Sequence, residues 1–104
     1  MGDITNGFDE ADIVIEREFT TETVHQGYIE THIVTAQWGA NGMVTVWTIT
    51  KGQFAIRDQL ALVLEITMSA ITVIPLKIGG GFGGKDSIYI EPLAVVLSKQ
   101  SGRP

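Results

Sequence analysis

Residues 32–50 read HIVTAQWGANGMVTVWTIT, and this stretch indicates the fold class of the chain. Both of its ends are rich in β-branched and aromatic residues, which favour β-strands. Its middle contains the dipeptide Asn41-Gly42, which is the strongest short signal for a tight hairpin turn. The sequence therefore predicts a β-hairpin with strands at residues 32–38 and 43–50.

Two further strands are predicted on either side of this hairpin. Apolar residues alternate with polar ones from Ile13, which predicts a half-buried strand over about residues 13–20. A second β-branched run predicts a strand over residues 72–78. Pro75 lies inside that run and places the strand at a sheet edge or beside a bulge, because proline cannot donate a hydrogen bond to a ladder.

Two helices are predicted in the second half of the chain. Apolar residues at helical spacing predict an amphipathic helix over residues 54–66. Pro92 suits a first helical turn and Gly102 suits a helix end, which predicts a second helix over residues 91–101. The predicted fold class is α+β, a mixed β-sheet with a β-hairpin and two helices packed on one face.

Composition limits the possible partners and the number of domains. The 104 residues suit one domain, and we expect residues 1–11 to be a disordered lead-in to a domain at 12–104. The net charge of −5 argues against a nucleic-acid partner or an anionic membrane partner. There is no cysteine, no apolar run of about 18 residues and no signal-peptide pattern at the start, so we expect a soluble, cytoplasmic protein without a membrane partner.

Residues 79–85 read GGGFGGK and are followed by Asp86; we call residues 79–85 the glycine loop. Glycine permits positive φ and lets backbone N–H groups approach a ligand closely, so the loop suits an anionic or planar ligand. Its place between a predicted strand and a predicted helix suggests that helix N-terminal amides contribute. The single aromatic residue, Phe82, argues against a plain glycine-rich connector, although a connector remains an open alternative.

The glycine loop also matches two generic nucleotide-binding patterns, both weakly. A phosphate loop requires Ser or Thr after the lysine, whereas this chain has the acidic Asp86 there. A dinucleotide-binding loop requires an acidic residue about 20 positions further on and a longer following chain. Nucleotide binding therefore remains a minor alternative.

Other catalytic or metal-binding groups have little support in the sequence. His25, Glu30 and His32 could form a metal set of two histidines and one carboxylate, but their spacing is irregular. Structural roles are the commoner explanation for such histidines, and we predict no metal site. No serine has a histidine near it in sequence that would serve as a base for nucleophilic catalysis.

Three stretches together resemble the large subunit of the molybdenum hydroxylases, the family of xanthine dehydrogenase, aldehyde oxidase and aerobic carbon monoxide dehydrogenase. The stretches are residues 24–32 (VHQGYIETH), residues 46–50 (VWTIT) and the glycine loop. The resemblance spans about residues 15–104 and implies that the chain is the opening piece of a molybdopterin-binding region. Members of the family hydroxylate heterocycles or aldehydes with oxygen from water, or oxidise carbon monoxide.

The resemblance also implies roles for particular residues and partners. Gly80, Gly81, Phe82 and Gly83 would contact molybdopterin, or its cytosine dinucleotide form, and Asp86 would occupy a position that contacts substrate. The implied partners are the remainder of the large subunit and iron–sulfur and flavin subunits or domains. Catalytic residues of the family lie downstream of this stretch. We therefore expect the 104 residues alone to hold no cofactor, to be inactive and to self-associate through exposed apolar surface.

One position departs from the family pattern. Members commonly carry a glutamine near the end of the second hairpin strand, where this chain has Lys51. Lysine donates hydrogen bonds and carries a charge but has no acceptor, so it cannot reproduce both contacts of an amide. Lys51 would either pair with an anionic group of the cofactor or mark a non-catalytic binding or scaffold module derived from the family.

Overall fold

The computed structural model describes residues 2–104 and contains a three-stranded mixed sheet. Strand β1 (Val34–Trp38) pairs antiparallel with β2 (Val44–Thr48), and β2 pairs parallel with β3 (Ile71–Pro75). The predicted hairpin is confirmed, with strands a few residues shorter than expected. Pro75 ends a strand at the edge of the sheet, which agrees with its inability to donate to a ladder.

Three α-helices accompany the sheet: α1 (Ile4–Asp9), α2 (Gln53–Leu64) and α3 (Glu91–Ser101), with a short 3₁₀ helix at Met68–Ala70. The bounds of α3 agree with the prediction, and Gly102 adopts the left-handed conformation that ends it (φ 68°). Helix α2 stops two residues earlier than predicted because Glu65 turns into the left-handed region (φ 54°). This helix connects the parallel strands β2 and β3, which need a long crossover connection.

The hydrophobic core lies between the sheet and the helices α2 and α3. Strand residues Ala36 and Val46 face each other across the hairpin, and both are almost fully buried. Leu60 of α2 and Val95 of α3 are completely buried in the same cluster. Both helices therefore pack on one face of the sheet, which confirms the predicted layer. Full burial of a valine or leucine side chain stabilises a fold by about 1.5–3 kcal/mol.

The predicted strand at residues 13–20 is wrong. This segment is extended, but it pairs with no strand within residues 2–104, and both sets of alternating side chains are exposed. Ile13 is 79% exposed and Phe19 is 87% exposed. Alternation marks a segment that could join a sheet, whereas a strand also requires a neighbour that supplies hydrogen bonds.

The lead-in, residues 1–11, contains the unpredicted helix α1. Asp3 caps this helix, since its carboxylate accepts hydrogen bonds from the N–H groups of Thr5 and Asn6 at 3.0 and 3.1 Å. No residue of α1 is buried. The domain boundary after residue 11 therefore stays a prediction.

No helix within residues 2–104 combines the length and the apolar character that crossing a membrane requires.

Candidate functional site

The glycine loop lies in the connection between β3 and α3. Residues 86–90 separate its last residue from Glu91, the first residue of α3. The Glu91 carboxylate is buried and accepts hydrogen bonds from the Thr48 hydroxyl and the Tyr89 N–H, both at 2.7 Å. The glycine loop therefore does not open directly into a helix as the sequence predicted, because residues 86–90 lie between the loop and the first turn of α3.

The backbone of the loop turns sharply and uses positive φ at three positions. Gly80 has φ 98°, Gly83 has φ 82°, and Phe82 between them has φ 45°. The Gly84 N–H donates to the Gly81 carbonyl at 2.7 Å, which closes the turn. The left-handed conformation strains a residue with a side chain such as Phe82. Phe82 lies at the tip of the turn, and its side chain is 75% exposed.

Two other glycines are tightly packed, and lack of space requires glycine at Gly84. A Cβ at Gly84 would lie 2.8 Å from Cε1 of Tyr28 and 3.0 Å from the Gly81 carbonyl oxygen. A Cβ at Gly81 would lie 3.2 Å from Cδ1 of Ile78. The loop is therefore packed on its inner side by its own residues and by Tyr28, while its tip faces outward.

Four consecutive backbone donors of the loop have no acceptor in the described part of the chain. Within residues 2–104, the N–H groups of Gly80, Gly81, Phe82 and Gly83 donate to no protein acceptor. Consecutive N–H groups of this kind form a concave site for an anionic group. The four residues that the resemblance assigns to the cofactor thus form one turn with unpaired donors.

Lys85 ends the loop and is buried, a feature that the sequence did not predict. Its side chain has no exposed surface, and its Nζ donates to Oε2 of Glu30 at 2.7 Å and to the Glu30 carbonyl at 2.9 Å. The Tyr28 ring covers the ammonium, with 4.6 Å between Nζ and the ring centroid. The hydrogen bond from Lys85, together with that from the Gly79 N–H, lowers the pKa of Glu30 below the ordinary glutamate value.

This ion pair conflicts with the phosphate-loop alternative, because the lysine of such a loop must reach phosphates. In the structure Lys85 points inward to Glu30 and is only 2% exposed. No local signal in the sequence identifies the partner, since Glu30 precedes Lys85 by 55 residues.

Lys51 lies next to the loop through its neighbour Thr50. The Thr50 hydroxyl donates to the Lys85 carbonyl at 3.2 Å and accepts from the Gly52 N–H at 3.1 Å. Lys51 itself is exposed and forms no salt bridge within the described part of the chain. Asp86, directly after the loop, is also exposed. The structure therefore brings these predicted residues to one region, with the two charged side chains free.

The alternative metal set is not assembled. Within residues 2–104, no group of three or more His, Asp or Glu side chains is placed to hold a metal ion. His25 accepts a hydrogen bond from the Gly27 N–H, His32 hydrogen-bonds to the Tyr28 hydroxyl, and Glu30 pairs with Lys85.

Comparison with known proteins gives consistent matches over the whole chain. The model of the family "Molybdopterin cofactor-binding domain" matches residues 1–104. The chain is 31% identical to the "Probable hypoxanthine oxidase XdhD" of Escherichia coli (strain K12), over 100% of this chain and 11% of that protein. It is 30% identical to the aldehyde oxidoreductase molybdenum-binding subunit PaoC of the same strain, over 97% of this chain and 14% of that protein.

A solved structure has the same fold. The crystal structure of quinoline 2-oxidoreductase from Pseudomonas putida 86 superimposes with a TM-score of 0.77 at 27% sequence identity. The match covers 97% of this chain and 13% of that one. The chain thus spans between 11% and 14% of the length of these relatives.

Proposed function

Because the chain belongs to the molybdopterin cofactor-binding domain family, we propose that its glycine loop binds the cofactor of a molybdenum-dependent oxidoreductase through its backbone. The observation that carries this proposal is the row of unpaired N–H groups at Gly80, Gly81, Phe82 and Gly83. Phe82 and Gly83 are exposed and Gly80 is half-buried, whereas Gly81 is buried. Unpaired N–H groups of a turn suit an anionic ligand, and molybdopterin is anionic, so the turn and the cofactor fit each other. The cofactor is molybdopterin or its cytosine dinucleotide form.

Two exposed charged residues extend the proposed site. Lys51 is free to donate to an anionic group of the cofactor, since it has no acidic partner within residues 2–104. Asp86 is placed directly beyond the loop and would contact the substrate. Its side chain is one methylene shorter than the glutamate that the xanthine-oxidising branch has there, which reduces its reach.

The proposed reaction is oxidation of a heterocycle, an aldehyde or carbon monoxide. The bound cofactor supplies the oxidation chemistry, and the residues of this chain bind and orient it. We include in the proposal the remainder of a large subunit, iron–sulfur and flavin partners, and a cytoplasmic location. An absorption spectrum of the purified complex would test for iron–sulfur and flavin groups, and cell fractionation would test the location.

The central experiment measures the cofactor itself. The protein is produced at its full natural length in a host that makes the molybdenum cofactor, and molybdenum and pterin are quantified per polypeptide. We expect stoichiometric molybdenum in the wild type and a large loss in Gly81→Val, whose side chain would collide with the packing beneath the turn. The 104 residues alone should carry none. Wild-type protein without molybdenum or pterin would refute the proposal.

A second candidate is a non-catalytic binding or scaffold module of the same family, and Lys51 is the observation that favours it. The matched variant is Lys51→Gln, which restores the residue common in the family. If the module has lost its cofactor, the wild type contains no molybdenum. Molybdenum in Lys51→Gln would then show that Lys51 alone is responsible for the loss. If Lys51 binds the cofactor, Lys51→Gln retains or reduces the molybdenum of the wild type.

A further inference from the structure

The two ends of the glycine loop meet at one carboxylate oxygen. Oε2 of Glu30 accepts a hydrogen bond from the Gly79 N–H at 2.6 Å and from Nζ of Lys85 at 2.7 Å. Gly79 is the first residue of the loop and Lys85 is the last. Glu30 therefore closes the seven residues into a ring, although it lies 49 residues before the loop begins.

The end at Lys85 is fixed from a second direction as well. Its backbone carbonyl accepts from the hydroxyl of Thr50, the residue before Lys51. The side chain of Lys85 thus joins the loop to Glu30, and its main chain joins the loop to the end of the hairpin. These contacts fix where the turn lies relative to Lys51.

The ion pair is also shielded from water on the lysine side. The Lys85 side chain is completely buried while that of Glu30 is 28% exposed. Tyr28 lies over the ammonium and over Gly84, where no Cβ would fit. A buried charge that loses its partner is strongly destabilising, so Lys85 requires Glu30 to remain in this position.

We propose that Glu30 is a positioning residue that closes the glycine loop through Gly79 and Lys85 and so presents the free N–H groups of the turn. The part of this inference that concerns the cofactor rests on the proposed function. The closure itself rests on geometry alone. Glu30 does not contact the cofactor in this proposal, and Lys85 is a structural cation that does not bind a ligand anion.

The test separates loop closure from general stability. It compares Glu30→Gln, Lys85→Met and the double variant E30Q/K85M in the protein at its full natural length. Glu30→Gln leaves Lys85 buried without a negative partner, so its melting temperature should fall. The double variant removes both charges, so its melting temperature should recover toward that of the wild type.

Amide hydrogen exchange over residues 79–85 then reports on closure. We expect exchange in the double variant to stay about tenfold faster than in the wild type, because a charge-assisted hydrogen bond at residue 85 has been lost. The molybdenum content of the double variant should also stay below that of the wild type, because its open loop no longer presents the N–H groups to the cofactor. The matched control is Thr48→Val, which removes an equally short buried hydrogen bond to Glu91 outside the loop. It should lower the melting temperature without changing exchange in the loop.

Each result decides one of the two proposals. Wild-type exchange rates in the double variant would overturn the closure of the loop by Glu30, even in a protein that holds molybdenum. Fast exchange with full molybdenum would overturn the positioning role. Fast exchange in the double variant of a protein whose wild type lacks molybdenum would support closure and refute the cofactor function.

Discussion

At the scale of single residues, Gly84 shows how the loop depends on missing side chains. We expect Gly84→Ala to destabilise the fold by about 1–3 kcal/mol, since a new Cβ would overlap Tyr28 and a backbone carbonyl that cannot easily move. Chemical denaturation measures the change. The control is Gly52→Ala, whose Cβ would meet only Ala55 at 3.6 Å, with an expected loss below about 1 kcal/mol. Equal losses in both variants would contradict the packing described for Gly84.

Glu30 gives a prediction about pH at the same scale. Its pKa is lowered in the folded protein by the hydrogen bond from Lys85 and by that from Gly79. A lowered pKa means that the unfolded chain binds the proton more tightly, so acid favours unfolding. The stabilisation is complete above the ordinary glutamate pKa of about 4.3 and is lost as pH falls through the lower folded-state value.

Melting temperatures measured from pH 7 down to pH 3 would check this sign. The difference between the wild type and Glu30→Gln should be largest at neutral pH and should shrink in acid. A difference that grows as pH falls would show that Glu30 does not carry a stabilising charge.

At the scale of elements, helix α2 has a buried face and an exposed face, and one leucine on each face can be compared. Leu60 is completely buried, whereas Leu62 is 80% exposed. We expect Leu60→Ala to cost about 2–5 kcal/mol through lost burial and a cavity, and Leu62→Ala to change stability by no more than about 0.5 kcal/mol. Urea unfolding of the two variants measures both values. A similar loss at the two positions would mean that the exposed face of α2 is covered in solution.

Some of the elements are determined by the local sequence, and others are not. Pro92 and Gly102 act within their own turns, and the bounds of α3 follow from them. The hairpin follows from β-branched strands around an Asn-Gly turn. A strand at residues 13–20 could not be judged in this way, because its existence depends on a partner that the described residues do not provide.

The candidate site also has one part that the sequence predicted and one part that it did not. The glycine loop and Lys51 were identified from the sequence, since glycine content and a departure from a family pattern are local features of the sequence. The ion pair of Glu30 and Lys85 was missed, because it joins residues 55 positions apart and follows only from the folded path of the chain. From the sequence, Glu30 was considered only in a disfavoured metal set, and Lys85 only in a weakly matched phosphate loop.

At the scale of the whole molecule, the radius of gyration is 21.8 Å, whereas a compact chain of this length has about 13 Å. Residues 11–27, the extended segment, contain no helix or strand, are exposed throughout and include large apolar side chains. Ile13, Ile15 and Phe19 are each at least 75% exposed.

Apolar surface of this kind favours association, so we expect the 104-residue chain to form dimers or larger species as its concentration rises. Light scattering coupled to size exclusion measures the mass. The triple variant Ile13→Ser, Ile15→Ser and Phe19→Ser should shift the chain toward monomer, because the extended segment then has little apolar area to bury.

The control for this prediction combines Leu62→Ser and Leu93→Ser, at exposed positions on α2 and α3, and it should leave the mass unchanged. A monomeric wild type at high concentration would contradict the prediction. An effect confined to the control would place the contact on the helices instead of the extended segment, because only the helices lose apolar surface in that variant.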